Sequence, residues 1–175
     1  MDPSSISEES VRREDLAPEK QIMVLRIVVA AMAMGALVFG AIVAVVIGPG
    51  DNGDGTLTTV GLIVALVVLV LHRVAGSLVF AANTRDLPEE EEPARRQLMA
   101  ARIKSTFVSG AMLEGGAFLN LMVYGFIDGQ PISLAMAGLL WLGMLLHFPL
   151  PGSLEGWMDN QLRNAREQRS LRPAK

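Results

Sequence analysis

The chain contains no cysteine, and only 19% of its 175 residues are charged. The absence of cysteine excludes disulfide bonds and metal sites built on thiolates, and it leaves the redox compartment undetermined. The formal net charge of −3 is too small to indicate a partner of either sign. The positions of the charges are more informative than their sum.

Catalytic and cofactor motifs are also absent from the sequence. It has no HExxH metal motif, no phosphate-binding loop, no Rossmann glycine pattern, and no Ser/His/Asp set whose members would meet at one depth. No basic patch indicates nucleic-acid binding. We therefore predict a protein that is not an enzyme, with no cofactor, no bound metal and no nucleic-acid partner.

What the sequence does contain is apolar residues, 51% of the chain, concentrated in four blocks. A helix of about 20 apolar residues spans the roughly 30 Å hydrocarbon core of a bilayer. The blocks cover residues 27–47, 57–71, 105–127 and 132–146, and the apolar stretch 74–82 prolongs the second helix. The first block is too long for a cleaved signal peptide and follows an acidic tail. The sequence predicts an all-α integral membrane bundle of four transmembrane helices.

The links between the blocks differ in length and composition. Residues 48–56 and 128–131 form short glycine-rich turns, which predict one hairpin from spans one and two and another from spans three and four. The predicted segments are a polar, disordered N-terminal tail (1–20), a first hairpin (21–82), a charged cytoplasmic linker (83–96), a second hairpin (97–150) and an amphipathic, basic tail (151–175).

The two hairpins resemble each other when Ala31-Met32 is placed over Ala111-Met112. The turns and the terminal histidines then coincide, which indicates a duplication, although chance similarity between two Val/Leu/Ala-rich strings is the alternative. Each hairpin begins and ends on the same side, so this repeat is a parallel one.

Lysine and arginine are absent from the two short turns. All 15 lie in the tails, in the middle link, or at helix ends beside them. Basic residues are retained on the cytoplasmic side of a membrane, so we expect both termini to be cytoplasmic and the protein to lie in the inner, cytoplasmic membrane.

Small and polar residues predict the packing faces of the spans. Span one has a stripe of small residues at four-residue spacing, and span three has small residues together with a polar line. These helix-packing and polar-contact candidates are Ala36, Gly40, Ala44, Ser109, Gly115, Gly116, Asn120 and Tyr124. Helices in lipid associate through close backbone approach and hydrogen bonds, so we expect these residues to join the hairpins or to join protomers.

Glu114 lies near the middle of span three, where an ionisable residue is by default a functional hypothesis. In one interpretation its protonated carboxyl donates a hydrogen bond that holds helices together. In the other it binds and releases a proton or cation. We favour a non-catalytic structural or accessory membrane component, with a small proton- or cation-coupled carrier or translocation subunit as the alternative.

The stretch LEGGAFLNLMVYGFI (113–127) resembles the carboxylate-bearing helix of rotor-ring c subunits of ATP synthases, which implies an ion-binding role for Glu114. In that family the acid lies on the second helix of a hairpin, whereas Glu114 lies on a first helix.

A second pattern, A-x-x-E-G-x-A-F-x-N-L-x-x-Y, is followed by His147-Phe148-Pro149 and then by Trp157. Its members here are Ala111, Glu114, Gly115, Ala117, Phe118, Asn120, Leu121 and Tyr124. It is similar to the third helix of uncharacterised small four-span membrane proteins of bacteria, including planctomycete-type genomes. This resemblance implies the fold and topology but no activity.

The C-terminal tail has the pattern of an amphipathic helix that Ser153 can cap. Its apolar side contains Leu154, Trp157, Met158, Leu162 and Ala165, while Arg163, Arg166 and Arg169 point elsewhere. We expect it to lie on the inner leaflet with its arginines toward anionic lipid headgroups, an ordinary polar tail being the alternative. The partners predicted are thus the lipid bilayer, these headgroups, and a second copy or another membrane protein. His72 and His147, at helix ends, are expected to cap carbonyls rather than to relay protons.

Overall fold

The computed structural model describes residues 18–51, 53–147 and 153–170. Among these residues 88% are helical and none lies in a strand, which confirms the predicted all-α class. The helices are α1 (Pro18–Ile42), α2 (Thr56–Thr84), α3 (Glu91–Val123), α4 (Pro131–Leu145) and α5 (Ser153–Ser170). Two π-helical turns follow α1 and α3, at Val43–Ile47 and Tyr124–Asp128.

Three helical segments are long and apolar enough to cross a membrane, namely Ile22–Ile47, Thr56–Thr84 and Glu91–Asp128. The fourth apolar helix, α4, has 15 residues and is therefore about 22 Å long. Large apolar side chains such as Met34, Val70 and Leu142 cover the outer faces and are exposed. Apolar surface on this scale is what lipid covers, and the helices confirm the predicted membrane class.

The second and third helices extend well beyond the thickness of a bilayer. α2 runs unbroken through the apolar stretch 74–82, and its 29 residues span about 43 Å. Only residues 85–90 separate it from α3, so most of the predicted linker 83–96 is helical. Glu91 and Glu92 suit the first turn of α3 because acids there interact favourably with the helix dipole. The two helices therefore project together past the apolar spans.

The helices pack around α3. Its most extensive interface is with α2, followed by α4 and α1, while α4 also contacts both α1 and α2. Direct packing between α1 and α2 is minimal, so the first hairpin is joined by its turn rather than by its own interface. Among the three long segments, the one containing α3 is the least apolar and the most buried. Its position in the centre therefore removes the most polar span from lipid.

Small residues allow the central helices to approach closely. The main buried cluster contains five alanines and four larger side chains: Ala33, Ala36, Ala65, Leu113, Ala117, Leu121, Ala137, Leu140 and Met144. The π-helical turns after α1 and α3 fall one residue apart in the register that aligns the two hairpins. This agreement supports the predicted duplication.

Candidate functional site

Three polar side chains of α3 donate hydrogen bonds to backbone carbonyls of α2, and we call this interface the polar seam. The pairs are Ser105 Oγ with Gly76 O at 2.7 Å, Ser109 Oγ with His72 O at 2.9 Å, and Asn120 Nδ2 with Gly61 O at 3.3 Å. A step of four residues along α3 is matched by four residues back along α2, as antiparallel helices require. These bonds satisfy two hydroxyls and the Asn120 amide N–H, which lipid would leave unpaired, while the buried Asn120 Oδ1 has no partner among the described residues.

Glycines on α2 make the polar seam possible. A Cβ atom at Gly61 would lie 3.2 Å from Asn120 Oδ1, and one at Gly76 would collide with Ser109 Oγ. On α3, a Cβ at Gly116 would lie 3.2 Å from a methyl of Leu140. The structure thus places Ser109, Gly116 and Asn120 in helix contacts, while the sequence analysis missed the partner glycines. Gly61 and Gly76 are far apart along α2 and do not show the four-residue spacing that is typical of a packing stripe.

At one end of the polar seam, Asp128 stabilises the start of α2, a role that the sequence analysis also missed. The Thr58 N–H donates to Asp128 Oδ2 at 2.6 Å, across 70 residues of chain. Gly55, the residue preceding α2, has a φ of 83° and no side chain that could cap the helix. Asp128 takes over this function from the opposite turn. In the sequence, Asp128 is an acid in a glycine-rich turn, and such a position indicates only a turn.

Further contacts hold this end together. The Gly50 N–H donates to the Tyr124 carbonyl at 2.9 Å, which links the two turns. Asp54 accepts a hydrogen bond from the Thr56 N–H at 2.9 Å. Hydrogen bonds from the Thr56 side chain and backbone lower the pKa of the Asp54 carboxyl, so it stays ionised at neutral pH. Tyr124 itself is half-buried, and its contribution here is made by its carbonyl.

Glu114 lies on the side of α3 that faces α1, beside Gly35. A Cβ at Gly35 would be 3.4 Å from Glu114 Oε1. One turn along, the Phe39 and Phe118 rings pack edge to face with centroids 5.1 Å apart. The Glu114 side chain is half-buried, and within the part of the chain that the structure describes its carboxyl has no hydrogen bond or ion pair. The interhelical hydrogen bond expected for Glu114 is therefore missing among these residues.

The small residues next to Glu114 face outward. Gly115 is exposed, and a Cβ there would meet nothing within 4 Å. Ala111, one turn earlier, is exposed as well. Of the two predicted roles for Gly115, joining the hairpins or joining protomers, the first does not occur among the described residues, because α3 presents Gly115 on the surface while Gly116 faces Val68 and Leu140. Glu114 thus borders an open strip of helix backbone.

The predicted stripe on α1 borders a groove rather than a closed contact. Ala36 is buried, Gly40 packs at ordinary distance against Leu121, and Ala44 is exposed. Together they line an apolar groove of about 360 Å³ between α1, α3 and α4. The Trp141 indole N–H donates to the Ala33 carbonyl at 2.9 Å and bridges α4 to α1.

A second cavity, of about 420 Å³, lies at the opposite end from the two short turns, between α2, α3 and α5 and just beyond the end of α4, and we call it the interfacial cavity. Its charged or titratable lining residues are Arg73, Arg102 and His147, and none of the described lining residues is acidic. The Arg102 guanidinium lies 5.3 Å from the centre of the Trp157 ring. This distance allows a cation–π interaction.

His147, which lines this cavity, lies beside His72. Their ring centroids are 5.4 Å apart, and each Nδ1 lies within hydrogen-bond distance of a carbonyl four residues earlier, at 3.1 Å for His72 and 2.9 Å for His147. This is the carbonyl contact expected from the sequence. Burial lowers the pKa of His147, the hydrogen bond with the Gly143 carbonyl opposes this shift, and electrostatic repulsion from His72, Arg102 and Arg73 lowers the pKa further. The His147 ring is thus neutral at pH 7.

The C-terminal helix packs against the projecting ends of α2 and α3. Met158 and Leu162 are buried, and Leu162 clusters with Ala94 and Leu98 of α3. Ion pairs surround this contact: Arg95 with Asp159 at 2.6 Å, Arg95 with Glu91 at 3.0 Å, and Arg166 with Glu91 at 2.8 Å. Met158 and Leu162 on the apolar side of α5 therefore cover protein, and the predicted contact of its arginines with the inner leaflet stays a prediction. The long α2 and α3 provide apolar surface for α5 beyond the spans.

Several predictions concern parts of the chain outside the described residues. These are most of the N-terminal tail, at residues 1–17, the stop at Phe148-Pro149, and the side chains of Ser153, Leu154 and Arg169. Among the described residues, no group of three or more metal-binding side chains occurs.

Comparisons with protein-family models, with curated proteins and with solved structures found no match to this chain. The two resemblances noted in the sequence therefore stay predictions.

Proposed function

We propose that this protein is a non-catalytic structural or accessory component of a membrane assembly, with four spans and both termini in the cytoplasm. The observation that carries the proposal is the carboxyl of Glu114, which is half-buried in a span, has no partner among the described residues and is bordered by exposed small residues. Its hydrogen-bond partner is then a helix of another molecule.

The α5 contacts support an even number of crossings. Glu91 begins α3, and its carboxylate accepts a hydrogen bond from Arg166 of α5 at 2.8 Å. The start of α3 and the C-terminal helix therefore share one side of the membrane, which requires α3 to cross and α4 to return. The 15 residues of α4 are few for a span, and thinning of the bilayer or snorkelling of flanking residues can accommodate such a length.

The surface around Glu114 suits a second helix. Ala111 and Gly115 are exposed at four-residue spacing, the arrangement that permits close helix approach in lipid. A carboxyl facing hydrocarbon without a partner is costly, so a donor or acceptor on an approaching helix stabilises the complex. A second copy of the chain or a different membrane protein satisfies this requirement equally.

The packing gives less support to transport through the bundle. Asn120 is 0% exposed and bonded across the polar seam, and the seam serines are bonded to α2 as well. The groove one turn beyond Glu114 is apolar, lined by residues such as Ala36, Ala137 and Trp141. A proton or cation carrier needs polar access to its carboxyl from both sides in turn.

Filling the strip beside Glu114 tests the assembly. We expect Gly115→Leu and Glu114→Leu to abolish the assembled species, because one blocks helix approach and the other removes the polar partner. Gly138→Leu on α4 is the matched control, since Gly138 is likewise exposed and open. Chemical cross-linking in native membranes measures the assembly. If cross-linked species persist unchanged in the Gly115 variant, the proposal is wrong.

A proton- or cation-coupled carrier is the second candidate, favoured by the partial exposure of the Glu114 carboxyl within a span. Glu114→Gln separates the two functions, because glutamine keeps the size and the hydrogen-bonding capacity but cannot exchange a proton. We expect the variant to retain the assembly and neither form to conduct protons in liposomes. Proton flux in the wild type that disappears in the variant would establish the carrier instead.

A further inference from the structure

We propose that the interfacial cavity binds the phosphate group of an anionic phospholipid. This inference goes beyond the accessory role proposed above and does not depend on Glu114. It rests on two arginines without carboxylate partners among the described residues, on a lining in which no described residue is acidic, and on exposed apolar side chains at the cavity rim.

The first observation is a contrast between arginines on the same side of the molecule. Arg95 and Arg166 have carboxylate partners in Asp159 and Glu91. Within the described part of the chain, Arg73 and Arg102 have none, although both line the cavity. Arg102 is half-buried against the Trp157 ring, whereas Arg73 is exposed at the cavity mouth. A partly buried guanidinium without a counterion is unfavourable, so a bound anion supplies the missing charge.

The remaining polar groups also favour an anion. The Gln161 amide lines the cavity, and among the described residues it makes no hydrogen bond. Ser105 and Ser109 use their hydroxyl protons on α2 carbonyls and do not compete for the arginines. Guanidinium groups bind phosphate oxygens in bidentate fashion, which makes a phosphate the best match among common anions.

The position of the cavity identifies the phosphate as that of a lipid. It lies where α2 and α3 leave the apolar spans, the level of the headgroups. Leu146 lines the cavity and is 83% exposed, and Leu78 on the adjoining part of α2 is 64% exposed. A free phosphate gains nothing from these side chains, whereas acyl chains cover them. Basic pockets between transmembrane helices on the cytoplasmic side are known to bind lipid headgroups.

Lipid binding by the full chain in phosphatidylcholine nanodiscs tests the site. Phosphatidylglycerol is titrated into the nanodiscs, and native mass spectrometry counts the lipids retained by the protein. A basic residue near the surface contributes about a fivefold increase in affinity, so Arg73→Gln and Arg102→Gln together should weaken retention about 25-fold. Arg85→Gln is the control for the loss of one charge, because Arg85 is exposed at the end of α2, and Arg73→Gln and Arg102→Gln are each compared with it as single variants.

The outcomes separate the sources of phosphate. Retention of phosphatidylglycerol by the wild type and the Arg85 variant, with loss in the double variant, supports the site. Equal retention in all three proteins overturns it. Displacement of the lipid by inorganic phosphate at equal concentration also overturns it, because the ligand is then the free anion.

A measurement on the wild type alone tests the site even if the double variant does not fold. Burial is the main cause that lowers the pKa of His147, and His72, Arg102 and Arg73 face its ring and lower the pKa further, so a bound phosphate that offsets the two arginines raises it. The chain has only two histidines, and their NMR signals can be followed against pH. We expect the pKa of His147 to rise when phosphatidylglycerol replaces part of the phosphatidylcholine. An unchanged titration would refute lipid binding here.

Discussion

At the scale of single residues, the same side-chain type has different roles according to what surrounds it. Asp128 is 7% exposed and accepts a hydrogen bond from the start of α2, whereas Glu114 on the same helical segment is half-exposed without a partner in the described residues. The first acid replaces a missing helix cap. Glu114 makes no bond to the described residues of the fold, so we propose a partner for it on another molecule.

Removing the Asp128 carboxylate should therefore destabilise the fold. We expect Asp128→Ala to lower the free energy of unfolding by about 1–2 kcal/mol, because a buried N–H of α2 loses its acceptor. Asp128→Asn keeps an acceptor oxygen and should lose less. Asp51→Ala is the control, because Asp51 lies in the first short turn, at the same end of the molecule, but is exposed. Reversible unfolding in detergent measures all three, and equal stability of the Asp128 and Asp51 variants would contradict the capping role.

Glu114 and Asp128 also differ in how far the sequence predicted them. An acid inside a long apolar run stands out, so Glu114 was a candidate from the sequence alone. Asp128 was not, because its partner Thr58 lies 70 residues away and glycine-rich turns commonly contain aspartate. Local patterns predict a cap only when the cap and its helix are adjacent in sequence.

At the scale of helices, α3 organises the molecule. Polar side chains on one of its faces bond to α2, its glycines admit α4, and another face contacts α1. The sequence predicted the polar line of α3 and the four apolar blocks. It did not predict that α1 and α2 would separate around α3, because hydropathy does not determine which faces meet. That choice depends on the match between the seam serines and the α2 glycines.

Two glycine substitutions test this explanation of helix pairing. Gly76→Ala should destabilise the fold by about 1–3 kcal/mol, because its Cβ collides with Ser109 Oγ and disturbs the bond to the His72 carbonyl. Gly115→Ala is the matched control, since its Cβ points into open space and alanine favours helix. We expect it to be neutral or slightly stabilising. If thermal unfolding in detergent ranks the two variants the other way, α2 and α3 are not held by the polar seam.

At the scale of the whole molecule, the sequence predicted the features that follow from long apolar runs, but not those that depend on which helices pack together. The all-α class and the membrane class follow from long apolar runs, which few other structures can bury. The protein contacts of α5 could not be predicted from its own amphipathic pattern, because protein and lipid both bury an apolar face. These contacts arise because α2 and α3 extend beyond the spans and place Phe80 and Leu98 beside α5.

The contact between α5 and the start of α3 makes the topology testable. Because the chain has no cysteine, single cysteines report accessibility without background. Asp51, Glu89 and Asn164 are exposed and lie in the first short turn, the α2–α3 turn and α5. With the basic residues held inside, an impermeant maleimide should label Asp51→Cys in intact spheroplasts and label Glu89→Cys and Asn164→Cys only after permeabilisation. Labelling of Asn164→Cys but not Glu89→Cys in intact cells would mean that α4 does not return across the membrane, and the packing of α5 on α3 could not then exist.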